Sequence, residues 1–476
     1  MTDRSAAPGF DGLVCPGVFY PVQSGDGVLS RIRTPGGLVT AEQCVLVARI
    51  ADRFAGGTVT VTNRANFQLR ALADRLPDDV LGDLQQAGLA SAEPAVDHLR
   101  NVMASPTAGL DADAILDTRP LVRALDAYIV GHPYLAALPA KFSVGLDGGE
   151  RASIGHLPND VLFQAFRTDG GSARFRVLLR GGVDDVGWVD LGATLAPDAV
   201  VLAAAAIADA YLALLPSDGA KPRLRALVVE RGIGVFQNGV AGDRPPGAGT
   251  EAVAPRWTKS PAPGAPIGVH AQGWSPDARR LPDDWLTYVG IAPPVAGRLT
   301  SEQLRALAHA AERFGSGGLR LSPWRNVLIP DVPRDAVESL QSALESAGLS
   351  CRAPSLASGI VACAGRAGCA SGTVDTVRDA LALSARLSGL AATGRSLEVH
   401  FSGCAKKCAQ RRPTDLTLLG LPGTDERYAV YVGDRLLADA LLPADALAVV
   451  ERVALDGGEG PPARPGTGGY GPSSAG

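Results

Sequence analysis

Four cysteines near the C-terminal end are spaced for shared chemistry. Cys363 and Cys369 in "CAGRAGC" form a C-x5-C pair, and Cys404 and Cys408 in "CAKKC" form a C-x3-C pair. On a helical turn, positions i and i+4 share a face, so Cys404 and Cys408 can address one object. Structural zinc sites favour closely spaced knuckle pairs, which a C-x5-C partner fits poorly. Four thiolates suit a [4Fe–4S] cluster, whose cubane accepts wider spacings. The plain alternative is four reduced core cysteines, and the polar residues around both pairs argue against it. Gly359, Gly365, Gly368 and Gly403 let the backbone approach and donate N–H groups to sulfur. Lys406, Lys407, Arg411 and Arg412 would offset the negative charge of a thiolate-ligated cluster. Cys15, Cys44 and Cys351 fall in no pattern and read as packing residues. An odd total of 7 cysteines argues against a disulfide framework.

The elements that must position these residues come from a chain of 476 residues, enough for two or three domains. A net charge of −4 points to no nucleic acid and no anionic membrane partner. The start of the chain has no basic and apolar leader, so a cytoplasmic protein is expected. The apolar run at 199–215 carries Asp209 and reads as a buried helix rather than a membrane span. Residues 39–69 and 299–329 align without a gap at an offset of 260. Thr40, Glu42, Gln43, Ala48, Ala51, Arg53, Phe54, Gly57 and Asn66 each recur, and "AGL" at 87–89 returns at 347–349. Each copy predicts a Thr-capped amphipathic helix, a glycine turn, a strand and a second helix. "LRNVMASPTAG" (99–109) stands where the second copy has its first cysteine pair, so only the second half can hold a cluster.

The C-x5-C and C-x3-C pairs, about forty residues apart, resemble the cluster motif of the sirohaem-type sulfite and nitrite reductases, over roughly residues 15–455. The resemblance implies an α+β, internally duplicated fold: two ferredoxin-like half-modules and two larger α/β modules about a pseudo-twofold axis. The boundaries it implies are 15–97 and 98–241 for the first half-module and α/β module. They are 285–352 and 353–455 for the second pair. Residues 242–284, rich in Pro and Gly, read as a linker, and 456–476 as a disordered tail. The resemblance also makes Cys363, Cys369, Cys404 and Cys408 the cluster ligands, with Cys408 bridging to a tetrapyrrole iron. It places the family's cationic cleft on particular residues. Arg31 and Arg33 lie in "RIRTPGG", Arg64 and Asn66 in "TNRAN", Arg100 in "LRNV" and Lys141 in "LPAKF". Of these, Arg33, Arg100 and Lys141 take the catalytic places, while Arg31, Arg64, Asn66, Lys406 and Lys407 take the substrate-binding ones. Arginine suits that work because its fork matches a carboxylate.

Two departures point within the superfamily. Ser143 stands where the reductases usually carry a second lysine, and no proline follows Cys404. "SGCAKKCA" and "SPWRNVLIP" look more like the precorrin-3B synthases. That likeness implies O2-dependent hydroxylation and lactone formation on precorrin-3A, a tetrapyrrole of aerobic cobalamin biosynthesis. It also implies a mononuclear non-haem iron, for which no 2-His-1-carboxylate spacing is evident. The alternative is a ferredoxin-dependent reductase carrying sirohaem. No G-x-G-x-x-G fingerprint follows a strand, so electrons must come from an external ferredoxin or NADH-linked reductase. His98 and His400, beside the motifs, read as structural hydrogen-bonding residues. Asp117, Thr118 and Arg119 read as a helix cap with an ion pair.

Overall fold

The computed structural model describes residues 15–181, 187–240, 242, 265–273, 286–292, 294–351, 356–388, 397–410, 414–423 and 425–455. The expected tail, most of the expected linker, and Arg411 and Arg412 lie outside these residues. The chain divides into two compact units. One is Met1–Pro354 with Ala367–Ala370, and the other is Ser355–Arg366 with Ser371–Gly476.

The first half-module contains strands β1 (Val22–Ser24), β2 (Gly27–Ile32), β3 (Leu38–Thr40), β4 (Thr58–Val61) and β5 (Phe67–Leu72), with helices α1 (Ala41–Phe54) and α2 (Asp78–Gln86). The first α/β module follows. Its strands are β6 (Val102–Ala104), β7 (Val144–Asp147), β8 (Val161–Arg167), β9 (Ala173–Arg180) and β10 (Trp188–Leu195). Its helices are α3 (Arg119–Gly131), α4 (Val200–Ala213), α5 (Leu224–Arg231) and α6 (Gly234–Gln237). The second half-module has β11 (Gly268–Ala271), β12 (Leu286–Ile291), β13 (Arg298–Thr300), β14 (Gly318–Leu321) and β15 (Val327–Pro333), with α7 (Ser301–Phe314) and α8 (Val337–Ser346). The Pro- and Gly-rich stretch expected to be only a linker thus contains β11, which pairs antiparallel with β12.

The two half-modules exchange a strand. Their sheets run β1-β2-β5-β4-β13 and β11-β12-β15-β14-β3. In one, Leu299 sits opposite Val59; in the other, Leu319 sits opposite Val39. Both pairs obey the 260-residue offset, so the exchange is reciprocal. Gly37 and Gly297 explain why the turn before each exchanged strand needs glycine. A Cβ on Gly37 would meet the Leu321 carbonyl, one on Gly297 the Val61 carbonyl, and both residues have a φ of +70.

The recurring polar residues close the same turns twice. Thr40 and Thr300 each cap their helix in a capping box completed by Gln43 or Gln303. The same glutamines donate onward to the carbonyls of Ala87 and Ala347, which fixes the repeated "AGL". Ala48, Ala51, Ala308 and Ala311 are fully buried where α1 and α7 share one core. Side chains this small let the two helices approach closely.

The second α/β module repeats the first. Its strands are β16 (Ile360–Ala362), β17 (Val399–Ser402), β18 (Leu416–Gly420), β19 (Tyr428–Val432) and β20 (Arg435–Leu441). Its helices are α9 (Gly365–Gly368), α10 (Thr376–Ser388) and α11 (Pro443–Leu455). In each module three parallel strands are followed by two antiparallel ones, in strict order across the sheet. The run at 199–215 forms α4, which buries Ala203, Ala204, Ile207, Ala208 and Tyr211 while Asp209 accepts from the Tyr134 hydroxyl. Among the described residues no helix is long and apolar enough to cross a membrane.

Candidate functional site

Two of the expected arginines contact one sulfur atom and a third lies within electrostatic reach of it. Arg33, 1% exposed, leaves β2 and directs Nη2 to Cys15 Sγ at 3.2 Å and to the Pro16 carbonyl at 3.1 Å. Its Nε and Nη1 are buried with no hydrogen-bond partner among the described residues. Arg31 approaches the same sulfur with Nη1 at 3.8 Å and holds Gln68 Oε1 with Nη2 at 2.9 Å, leaving Nε unpartnered. Arg64 lies close enough to act on the Cys15 charge. It sits on the loop between β4 and β5, where Nη1 donates to the Pro158 carbonyl and to Asn159 Oδ1 at 3.0 Å.

That loop is shaped by Thr62, whose Oγ1 accepts from the N–H of Arg64 and of Asn66, and Ala65 takes a φ of 53. The second copy builds the same turn with Ser322 and with Arg325 at a φ of 66, but Trp324 stands in the place of Arg64. Asn66 acts on the backbone, its Oδ1 accepting from Thr34 N–H at 2.9 Å and so pinning the segment that carries Arg33. Burial pushes Arg31 down to about 10, with the Arg33 charge adding to it. Burial also pushes Arg64 down to about 10, against the opposing pull of Asp160. Among the described residues no carboxylate reaches hydrogen-bonding range of these three arginines, although the charges of Asp97 and Asp160 act on Arg33 and Arg64, and cations so placed are suited to pair with an anion.

The other expected cations lie elsewhere. Arg100 is 5% exposed and forks onto Asp126, with Nε–Oδ1 at 2.8 Å and Nη2–Oδ2 at 2.9 Å. It also donates to the Gly88 carbonyl and lies 3.7 Å from Asp97. Its guanidinium thus pairs with protein carboxylates, while Nη1 is left without a hydrogen bond among the described residues. Lys141 is exposed. Ser143 is buried, donates to Asp160 Oδ2 at 3.0 Å, and shares that carboxylate with Arg223 at 2.8 Å. Asp117 accepts from the N–H and the guanidinium of Arg119, which gives the expected ion pair, while Thr118 at the N-cap makes no side-chain capping bond. His98 and His400 are both buried.

In the second unit Cys363 follows β16, and its Sγ accepts from Gly403 N–H at 3.2 Å. A Cβ on Gly403 would meet the Cα atoms of Gly365 and Gly372 at 3.3 Å and this sulfur at 3.5 Å. Three glycines and a backbone donor around a thiol fit a thiolate ligated to a cluster. Cys404 and Cys408 follow β17, and Ser402 Oγ donates to the Cys404 carbonyl. Lys406 bonds to Ser371 Oγ at 3.0 Å, and Lys407 lies over the Tyr431 ring. Cys369 belongs to Ala367–Ala370, the segment grouped with the first unit, where Ser24 and Arg70 donate to the Gly368 carbonyl. Among the described residues no three His, Cys, Asp or Glu side chains converge as a ready metal site.

The family described as the nitrite/sulfite reductase ferredoxin-like half domain matches residues 20–87 and 281–347. The nitrite and sulphite reductase 4Fe-4S domain matches residues 95–245. The chain belongs to the nitrite/sulfite reductase family. It is 30% identical to the chloroplastic ferredoxin–nitrite reductase of Zea mays over 87% of this chain and 74% of that one. It is 31% identical to a precorrin-3B synthase of Sinorhizobium sp over 86% of this chain and 80% of that one. In fold it resembles the NirA protein of Mycobacterium tuberculosis, with a TM-score of 0.71 and 23% identity over 90% of this chain and 80% of that one.

Family membership makes the chain an iron–sulfur oxidoreductase. The matched 4Fe-4S domain is nevertheless the copy without cysteines. In that copy Ser105 follows β6 as Cys363 follows β16. The strand order of the second α/β module is the same, and of the two modules it carries the four paired cysteines. The reading of Cys44 and Cys351 as packing residues agrees with their complete burial, and burial pushes Cys44 up to about 12. Cys15 is different, and sequence reasoning missed it. Its sequence signal is slight: it precedes Arg31 by 16 residues, ahead of the strand that leads to Arg33.

Proposed function

We propose that the chain is a precorrin-3B synthase, hydroxylating precorrin-3A with dioxygen and closing a lactone in cobalamin biosynthesis. The observation that carries this reading is Ser143. It is buried and bonded to Asp160, and Arg223 already neutralises that carboxylate. The position contributes no cation, so the cleft is short of charge for gripping a small oxyanion. Arg31, Arg33 and Arg64 remain to pair with the carboxylates of a tetrapyrrole. Lys141, exposed and free to swing, is assigned to the approach of the substrate. Arg100 is given a positioning role through Asp126. The Sinorhizobium relative supports the same reading.

A [4Fe–4S] cluster on Cys363, Cys369, Cys404 and Cys408 would supply single electrons when bound, with Lys406 and Lys407 offsetting its charge. An external ferredoxin would deliver those electrons. A mononuclear iron finds no ligand set among the described residues. The second reading is a ferredoxin-dependent sirohaem nitrite or sulfite reductase, favoured by the plant and cyanobacterial nitrite reductases at 28–32% identity. The test is to supply the purified protein and a reducing system with precorrin-3A and labelled dioxygen, and separately with nitrite and sulfite. Label in the tetrapyrrole product is expected. Nitrite or sulfite turnover with strong sirohaem absorption and no label would overturn the synthase.

A further inference from the structure

Among the described residues Cys15 is the one anion-forming group within hydrogen-bonding range of Arg31 and Arg33, and it is no packing residue. It is half-buried, whereas Cys44 and Cys351 are enclosed. A thiol beside cations is not by itself a site. The second observation is Arg33, whose side chain is almost wholly buried yet keeps Nε and Nη1 without a partner on the guanidinium that grips the sulfur. With Nη2 on the sulfur, that guanidinium still has two N–H groups to offer an oxyanion that forms beside it.

We propose that Cys15 is an oxidation site: a thiolate on the Arg31–Arg33 pair that is modified by hydrogen peroxide and thereby closes the arginine cradle to anions. In the step, Cys15 Sγ attacks one peroxide oxygen, an S–O bond forms and the O–O bond breaks. Sulfur loses two electrons to the peroxide, giving a sulfenic acid. The departing hydroxide takes a proton from water, and the unpartnered Arg33 N–H groups stabilise it as it leaves. Burial alone would raise the Cys15 thiol, but the charges of Arg33, Arg31 and Arg64 outweigh it and hold the group below the ordinary thiol value. The sulfenic oxygen then occupies the donors that a ligand carboxylate would use.

This inference rests on reading the arginines as an anion site, but not on which reaction the chain performs. The test treats the full chain with hydrogen peroxide and dimedone and maps the adducts residue by residue. Cys15 is expected to trap dimedone at least about tenfold faster than free cysteine at the same pH, since one charge-assisted hydrogen bond carries about that factor. Arg33→Gln should remove most of the excess and Arg33→Lys should keep part of it. If those variants do not fold, the wild-type rate decides alone. A Cys15 rate no higher than that of free cysteine overturns the proposal. A chain that proves to be a reductase would still form the adduct, so the two readings fail separately.

Discussion

Replacing Arg100 separates a structural cation from a ligand-binding one. Three observations set the size of the effect. The guanidinium is nearly buried, it forks onto Asp126, and it lies 3.7 Å from Asp97, whose side chain is 1% exposed. Arg100→Met leaves two carboxylates facing each other with no cation between them. Removing one partner of a fully buried pair costs about 3–5 kcal/mol. Asp126 keeps a fifth of its side chain exposed, so solvent screens part of the loss and about 3 kcal/mol is expected. The lost bond to the Gly88 carbonyl adds about 1 kcal/mol and loosens the turn that ends α2. The assay is urea unfolding of the wild type, Arg100→Met, Asp126→Leu and the double variant, each also titrated with a tetrapyrrole carboxylate. The double variant should recover much of the stability, because it removes the unpaired charge. Tetrapyrrole affinity per folded molecule should stay within a factor of two in Arg100→Met and fall about tenfold or more in Arg64→Ala. Arg100→Met with full stability and weakened binding would refute the structural assignment and return Arg100 to the cleft.

Replacing Cys363, Cys369, Cys404 or Cys408 with Ser should abolish the cluster's absorption and paramagnetic signals, while Cys44→Ser keeps them; full iron and sulfide in Cys408→Ser would sink the four-ligand assignment. His98 is buried, and burial together with the Arg33 charge lowers it from 6.5 to about 4. Between those values the unfolded chain binds the proton and the folded one does not, so stability falls as pH drops through the window. By pH 4 the loss reaches up to about 3 kcal/mol. Unfolding midpoints from pH 7 to pH 4 should therefore drop further for the wild type than for His98→Gln, and parallel curves would contradict the burial argument.

The duplication was legible because it sits in residues that close turns. Thr40, Gln43, Gly57 and the "AGL" segment are polar or conformational specialists, and few alternatives do their work. They survive at an offset of 260 while the strands around them drift. The reciprocal strand exchange was not legible. A three-residue strand such as β3 has the same alternation whichever sheet it joins, and the pairing is decided by Gly37 fitting under the Leu321 carbonyl. The strand inside the expected linker was hidden for a related reason, since four residues among prolines carry no periodicity. For the site, residue type and order located Arg31, Arg33 and Arg64, but type alone cannot tell a cation facing a ligand from one facing a carboxylate. Arg100 and Arg33 look alike in sequence. They differ in whether a helix brings an aspartate to meet them: α3 brings Asp126 to Arg100, whereas among the described residues Arg33 hydrogen-bonds to Cys15 and a carbonyl. Asp97 lies near enough for its charge to act on Arg33 but makes no hydrogen bond to it, and a buried arginine with no carboxylate in hydrogen-bonding range is costly to keep. Arg33 is therefore the residue from which the function of this cleft is best argued, and Cys15 is the group that shares its fate.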